Sequence, residues 1–252
     1  MQMMRVVATS EAGKRASLNA NKVRFMAGTL LLSSLASFSA FAAGAGEVVH
    51  LNGTLSVQRP DGAILVLGQK SEVRPGDVLT TQKDSYAQIS FSDGSTVTMR
   101  PYTQLKIDAF NFVQEKPQAD NAFFRLIKGG MRTVTGLVGK RGNQDAYRIG
   151  TTTATIGIRG STGDTMVCDP SCEGVAKGGE ALPSGTHHQT HSGTYTMQID
   201  AQAAPRIVLI EEGHTGYSDG KVIRVTVGGI GGGAVNLQIP LGGGLEGAAS
   251  CK

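Results

Sequence analysis

Between Tyr147 and Thr162 the chain reads YRIGTTTATIGIRGST, and this run limits the fold more than any other. Val, Ile and Thr are stiff at their first side-chain torsion and pack well on a pleated surface, so a stretch crowded with Thr and Ile suits a largely buried strand. Gly157 and Gly160 leave room within it for a bend or a close backbone approach. Arg159 stands in this apolar setting and must find a carboxylate or carbonyl oxygens, because an unpaired buried charge is costly. An acid such as Asp77 or Asp93 is the expected partner, clamping neighbouring turns; the functional alternative makes Arg159 a ligand anchor. The run holds no nucleophile with a base beside it.

The N-terminal part has a different character. Residues 5–24 hold Arg5, Lys14, Arg15, Lys22 and Arg24, and the following FMAGTLLLSSLASFSA is uncharged and mostly apolar. With the small residues of Ala40-Phe41-Ala42 behind it, the segment reads as a secretory signal peptide over residues 1–42, cleaved after Ala42. The alternative, a retained anchor, is disfavoured because a spanning helix wants roughly 20 mostly apolar residues. The full chain has 24 basic and 20 acidic side chains. The leader takes five of the basic and one of the acidic residues, leaving 19 against 19. The basic isoelectric point therefore belongs to the leader and does not indicate nucleic-acid binding. The expected mature form is periplasmic or secreted from a bacterium and is not an integral membrane protein.

Beyond the leader the pattern is that of strands. Asn52-Gly53 and Pro60-Asp61-Gly62 are turn signals, and Pro75-Gly76-Asp77 breaks the chain before VLTT. In YAQISF, Tyr86, Gln88 and Ser90 share one face while Ala87, Ile89 and Phe91 share the other, the signature of a half-buried strand. Ser92-Asp93-Gly94-Ser95 turns the chain again, LKIDAF alternates from Leu105, and NAFFRLIKGGMRTVTGLV, which could begin with a helical turn, is read as strand because Gly129-Gly130 interrupts a helix early. Short strands every 8 to 12 residues predict an all-β domain over residues 43–227, a single jelly-roll-like β-sandwich, with a β-roll or solenoid-like arrangement as the alternative. Residues 163–192, rich in Gly, Pro, Cys and His, read as an excursion from the core. The glycine-rich stretch 228–252 reads as a tail.

This arrangement resembles the FecR domain, the periplasmic module of iron-transport regulators and of many standalone secreted proteins. The residues that carry the resemblance are Gly46 with Val48, RPGDVLTT around Gly76 and Asp77, ISFSDGSTVTM with Asp93 and Gly94, LIKGGMR with Gly129 and Gly130, and TATIGIRGST with Arg159 and Gly160. LIEEGHTGYSDG, with Glu212 and Gly213, is similar to the family's late strand. The resemblance implies an all-β periplasmic domain without catalytic residues. The regulators of this family carry a cytoplasmic anti-sigma region ahead of a membrane-spanning helix, whereas about 24 residues precede the apolar stretch here, which leaves the periplasmic half of the logic.

Three further constellations hold chemistry. Cys168 and Cys172 bracket a Pro turn and are expected to form a local disulfide in an oxidising compartment. Cys251 leaves the count odd and can pair within the chain, join a second molecule as a dimer, or stay free. His187, His188 and His191 form HHxxH, which could offer imidazoles to Zn or Cu; the Gly and Ser neighbours argue instead for solvated loop histidines, so no metal and no other cofactor is expected. Gly139-Lys140 lacks the spacing of a phosphate-binding P-loop, and Ser161 lies outside a G-x-S-x-G elbow. The expected function is a non-enzymatic binding or scaffold module for a protein or a cell-envelope polymer. The alternative is a periplasmic sensor component of a cell-surface signalling pathway, acting through a separate membrane protein.

Overall fold

A computed structural model describes residues 44–143, 145–170, 181–200 and 207–228 of the chain. The leader, Cys172, Cys251 and the glycine-rich stretch beyond residue 228 lie outside the described residues. The chain first lays down β1 (Gly46–Asn52), β2 (Leu55–Gln58), β3 (Ile64–Leu67), β4 (Glu72–Val73) and β5 (Val78–Thr81). There follow β6 (Tyr86–Phe91), β7 (Thr96–Met99), β8 (Gln104–Asn111) and, after a single 3-10 turn at Pro117–Ala119, β9 (Asn121–Val134). The last part holds β10 (Tyr147–Gly150), β11 (Thr155–Cys168), β12 (Gly185–Gln198), β13 (Val208–Glu211), β14 (His214–Ser218) and β15 (Ile223–Val227). The architecture is all-β, as expected, and takes the form of one mixed sheet that is not closed into a barrel.

The layers of this sheet are joined by its three longest strands. The first half of β9 pairs with β8 on one edge and, in parallel, with β10 on the other, while its second half pairs with β7 and β11. The change of partner falls at Gly129, whose φ of 83° is closed to most side chains and whose absent Cβ would lie 2.6 Å from Thr103 Cα. A bend there sends the β8–β5–β2–β3 arm and the β7–β6–β1–β4 arm in different directions, as at the corners of folded-over sheets. The arms meet across one core. Phe91 of β6 packs on Phe110 of β8 and on Phe124 of β9, with ring centroids 5.1 and 5.0 Å apart, and Phe124 continues to Tyr147 of β10 at 5.4 Å. Around them Val, Ile, Leu and Met fill the interior, the palette to which a chain without Trp is confined.

The alternation in Tyr86–Phe91 is observed as read, with Ala87, Ile89 and Phe91 buried and the intervening residues half-buried. Three local readings are corrected. Asn52-Gly53 does turn the chain, but β1 and β2 do not pair; β1 pairs with β6 and β4, and β2 with β3 and β5. A turn signal specifies a reversal of direction and leaves the choice of neighbour to long-range packing. YRIGTTTATIGIRGST is two strands, β10 and the start of β11, folded against each other through Gly150↔Thr155. Much of the supposed excursion is core: residues 163–168 belong to β11 and pair with 185–190 of β12, with Cys168 opposite Gly185. Small residues hid that hairpin, because Gly, Ser, Thr and His carry little hydrophobic periodicity even where they are buried.

Candidate functional site

Some charged residues of the described chain form buried pairs that hold strands together, while others, Lys140 and Arg159 among them, are exposed cations outside any ion pair among the described residues. Asp77 belongs to the first group. It is fully buried, forms an ion pair with Arg59, and accepts the Arg74 backbone N–H at 2.7 Å. Burial raises its carboxyl above the usual carboxylate range, against the Arg74 amide and the Arg59 guanidinium, which pull it down. Asp93 is buried in the β6–β7 turn, where Oδ1 accepts the backbone N–H of Ser95 at 2.9 Å and its hydroxyl at 2.6 Å. Its Oδ2 accepts the Val138 N–H at 3.2 Å. Neither acid meets Arg159, so the expected clamp is overturned. Arg59, close in the sequence, had already neutralised Asp77, and backbone and hydroxyl donors satisfy Asp93.

A second buried set lies where β9, β11 and β12 run side by side. Arg132 donates from Nε and Nη2 to the two oxygens of Asp164 at 2.6 and 2.7 Å, a bidentate fork, and His191 Nε2 lies 2.7 Å from Asp164 Oδ2. Asp164 is fully buried. His188, on the other face of β12, is enclosed with its Nδ1 3.0 Å from Thr165 Oγ1 and its ring against Tyr195. Burial pushes its imidazole down to about 3 and the Tyr195 phenol up to about 12. His187 Nε2 donates to the Pro183 carbonyl at 2.8 Å, its ring leans on Tyr217, and burial lowers its pKa as well. The HHxxH residues thus do not converge, since adjacent strand residues point to opposite faces, and His187 and His188 are not the solvated loop residues expected. Among the described residues no group of three or more His, Cys, Asp and Glu side chains is gathered as a metal site. Cys168 is disulfide-bonded; Cys172, its expected partner, lies outside the described residues.

Two of the cations outside any ion pair meet at one cleft. A cleft of about 360 Å³ is lined by Gly139, Lys140, Arg141 and Gly142 from the loop after β9, and by Arg159 and Gly160 of β11. The loop is held by Asp93, whose carbonyl accepts the Leu137 N–H at 2.9 Å while its carboxylate takes that of Val138. Arg141 is fully engaged: its guanidinium pairs with Asp120 at 2.9 Å, donates to the carbonyls of Gln114 and Val113, and lies over the Phe112 ring at 4.7 Å. Lys140 and Arg159 are exposed, and neither takes part in an ion pair among the described residues. Gly160, at φ 67°, marks the bulge where β11 changes partner and lets the Lys140 stem pass within contact distance. Sequence reasoning had picked out Arg159 and dismissed Gly139-Lys140 as a nucleotide loop. It missed Arg132, Asp164, Arg141 and Asp120, for which opposite charges in segments distant in the sequence were the only available signal.

Residues 77–173 match the family described as FecR protein. Two crystal structures of a candidate anti-sigma factor from Parabacteroides distasonis ATCC 8503 are similar to the chain at TM-score 0.42, with 8% and 7% identity, each over 63% of this chain. The chain spans 61% of the length of those proteins. No curated protein matches it.

Proposed function

Starting from a chain that carries a FecR domain over residues 77–173, we propose that it is a non-catalytic binding module of a regulatory kind, working on the periplasmic side of a bacterial envelope through a protein partner. The family match is the observation that carries this reading. The buried carboxylates and histidines support it, because those described above are tied into Arg, backbone or hydroxyl partners that lock strands together. No helix among the described residues is long and apolar enough to cross a membrane; on this reading a signal to the cytoplasm passes through a second protein.

The β2–β3 hairpin is the surface on which to look for that protein. Within the described residues β3 pairs with β2 alone, and Ile64, Leu65 and Val66 are 71%, 49% and 76% exposed. An apolar strand with a free edge invites an extended segment of a partner to add to the sheet. A photo-crosslinker placed at Val66 and activated in intact cells tests the reading. Adducts with a membrane-inserted regulator are the expected result. Adducts with envelope glycan alone would turn the reading into a scaffold, and the absence of any adduct would end it.

A further inference from the structure

We propose that the cleft between the Gly139–Gly142 loop and the β11 bulge binds a phosphate-type dianion, with Lys140 and Arg159 as its direct ligands. The inference rests on the binding-module reading and names a ligand class for it. Charge balance carries the argument. Of the three cations lining the cleft, Arg141 is neutralised by Asp120, which leaves two positive charges that no acid among the described residues compensates. A phosphate monoester carries about −1.5 to −2 at neutral pH, matching that excess.

Geometry points the same way. Arg141 is fixed by contacts to four residues and so holds the loop in place for its neighbour Lys140, while Arg159 is fixed at the backbone by its pairing with Thr194 of β12. The two cations therefore stand on anchored backbone and line one concavity. Gly139, Gly142 and Gly160 contribute no side chains to its wall, so an anion can approach the backbone closely. At about 360 Å³ the cleft falls at the small end of ligand sites, with ample room for a phosphate group. Arg148 strengthens the positive field from the same sheet face, since it sits opposite Gly157, two residues before Arg159 on β11, with its guanidinium 5.1 Å over the Phe123 ring.

Titration of the purified full chain with inorganic phosphate and with pyrophosphate, followed by calorimetry against sodium chloride of equal ionic strength, tests the proposal. Saturable binding is expected, with affinity falling about tenfold in Lys140→Gln and in Arg159→Gln and vanishing in the double variant, as loss of a charge-assisted hydrogen bond predicts. Arg159→Lys, which keeps the charge and loses the planar fork, should fall between the unaltered chain and Arg159→Gln. Absence of binding beyond the chloride control would overturn the proposal, as would binding unaffected by the double variant with an unchanged circular-dichroism spectrum. Phosphatidylcholine vesicles containing phosphatidic acid separate the sources: tighter capture by vesicles than by pyrophosphate assigns the phosphate to a lipid headgroup, and the reverse assigns it to solution. Crosslinking at Val66 in the double variant keeps the two readings apart. Retained adducts in the double variant, with phosphate binding lost, would confine the defect to the cleft, and absence of adducts in the otherwise unaltered chain while it still binds phosphate would sink the partner reading alone.

Discussion

Arg132 and Arg159 are both strand arginines, placed on β9 and β11, yet they have opposite fates. Arg132 is nearly enclosed and grips both oxygens of the buried Asp164, with His191 on the same carboxylate. Arg159 is exposed beside Lys140 at a cleft, without an acid among the described residues. Removing a charge from water costs several kcal/mol unless a partner repays it, so a buried guanidinium is committed to structure while an uncompensated exposed one remains free to take a ligand. Compensation therefore separates the cations that build this protein from those that are free to serve it.

The contrast can be broken most directly at Asp164. Asp164→Ala strands the Arg132 guanidinium in the sheet and is expected to cost about 3–5 kcal/mol, read from the shift in urea midpoint; an unchanged midpoint would show that Arg132 is not held as described. Next come the two bend glycines. Gly129→Ala forces a Cβ to 2.6 Å from Thr103 Cα, whereas the nearest atom to an added Cβ at Gly160 is Lys140 Cγ at 3.4 Å. Both carry the strain of a positive φ, about 1–3 kcal/mol, so Gly129→Ala should lower the melting temperature clearly more than Gly160→Ala. Equal shifts would deny that the buried corner is the more constrained.

The acid response gives a third test. Burial holds His188 neutral down to about 3, while in the unfolded chain an imidazole takes its proton near 6.5. The unfolded state thus binds the extra proton below pH 6.5, and stability falls with decreasing pH by ~1.4 kcal/mol per unit from this group, the loss ending near pH 3. Between pH 7.5 and pH 5 His188 alone should account for about 2 kcal/mol, a share that His188→Asn removes from the pH profile. A profile unaltered by that substitution would place His188 in water. The smallest effect is expected at the cleft, where Lys140→Gln combined with Arg159→Gln should leave stability within about 0.5 kcal/mol while abolishing phosphate binding. A large loss of stability there would make the cleft another structural clamp.

Much of the fold was legible. The period-2 pattern of Tyr86–Phe91, the Pro60-Asp61-Gly62 and Asp93-Gly94 turns and the break at Pro75-Gly76 all depend on neighbours within a few residues, and each is found where it was read. The β11–β12 hairpin was not legible, because Gly163, Ser192 and the buried Thr and His residues there lack the apolar alternation by which a strand is recognised. At the site, Arg159 was seen as the residue that mattered but was given the wrong partner. Asp77 and Asp93 were read as partners for Arg159, whereas Asp77 is taken by Arg59 and the Arg74 amide and Asp93 by Ser95 and Val138.

By itself the sequence determined a chain of short strands with Val, Ile, Leu and Thr on alternating faces, its reversals marked by Pro, Gly and Asp, and a resemblance to the FecR domain visible in TATIGIRGST. These are local properties, set by backbone sterics and by which side of a pleat each residue occupies. Only the tertiary structure decided which strands are neighbours, which charges are desolvated together and which are left over. Arg132 and Asp164 are 32 residues apart and Lys140 and Arg159 are brought to one cleft by the bend of β11. The energy of a charge depends on what surrounds it in space, and that environment exists only once distant segments have packed.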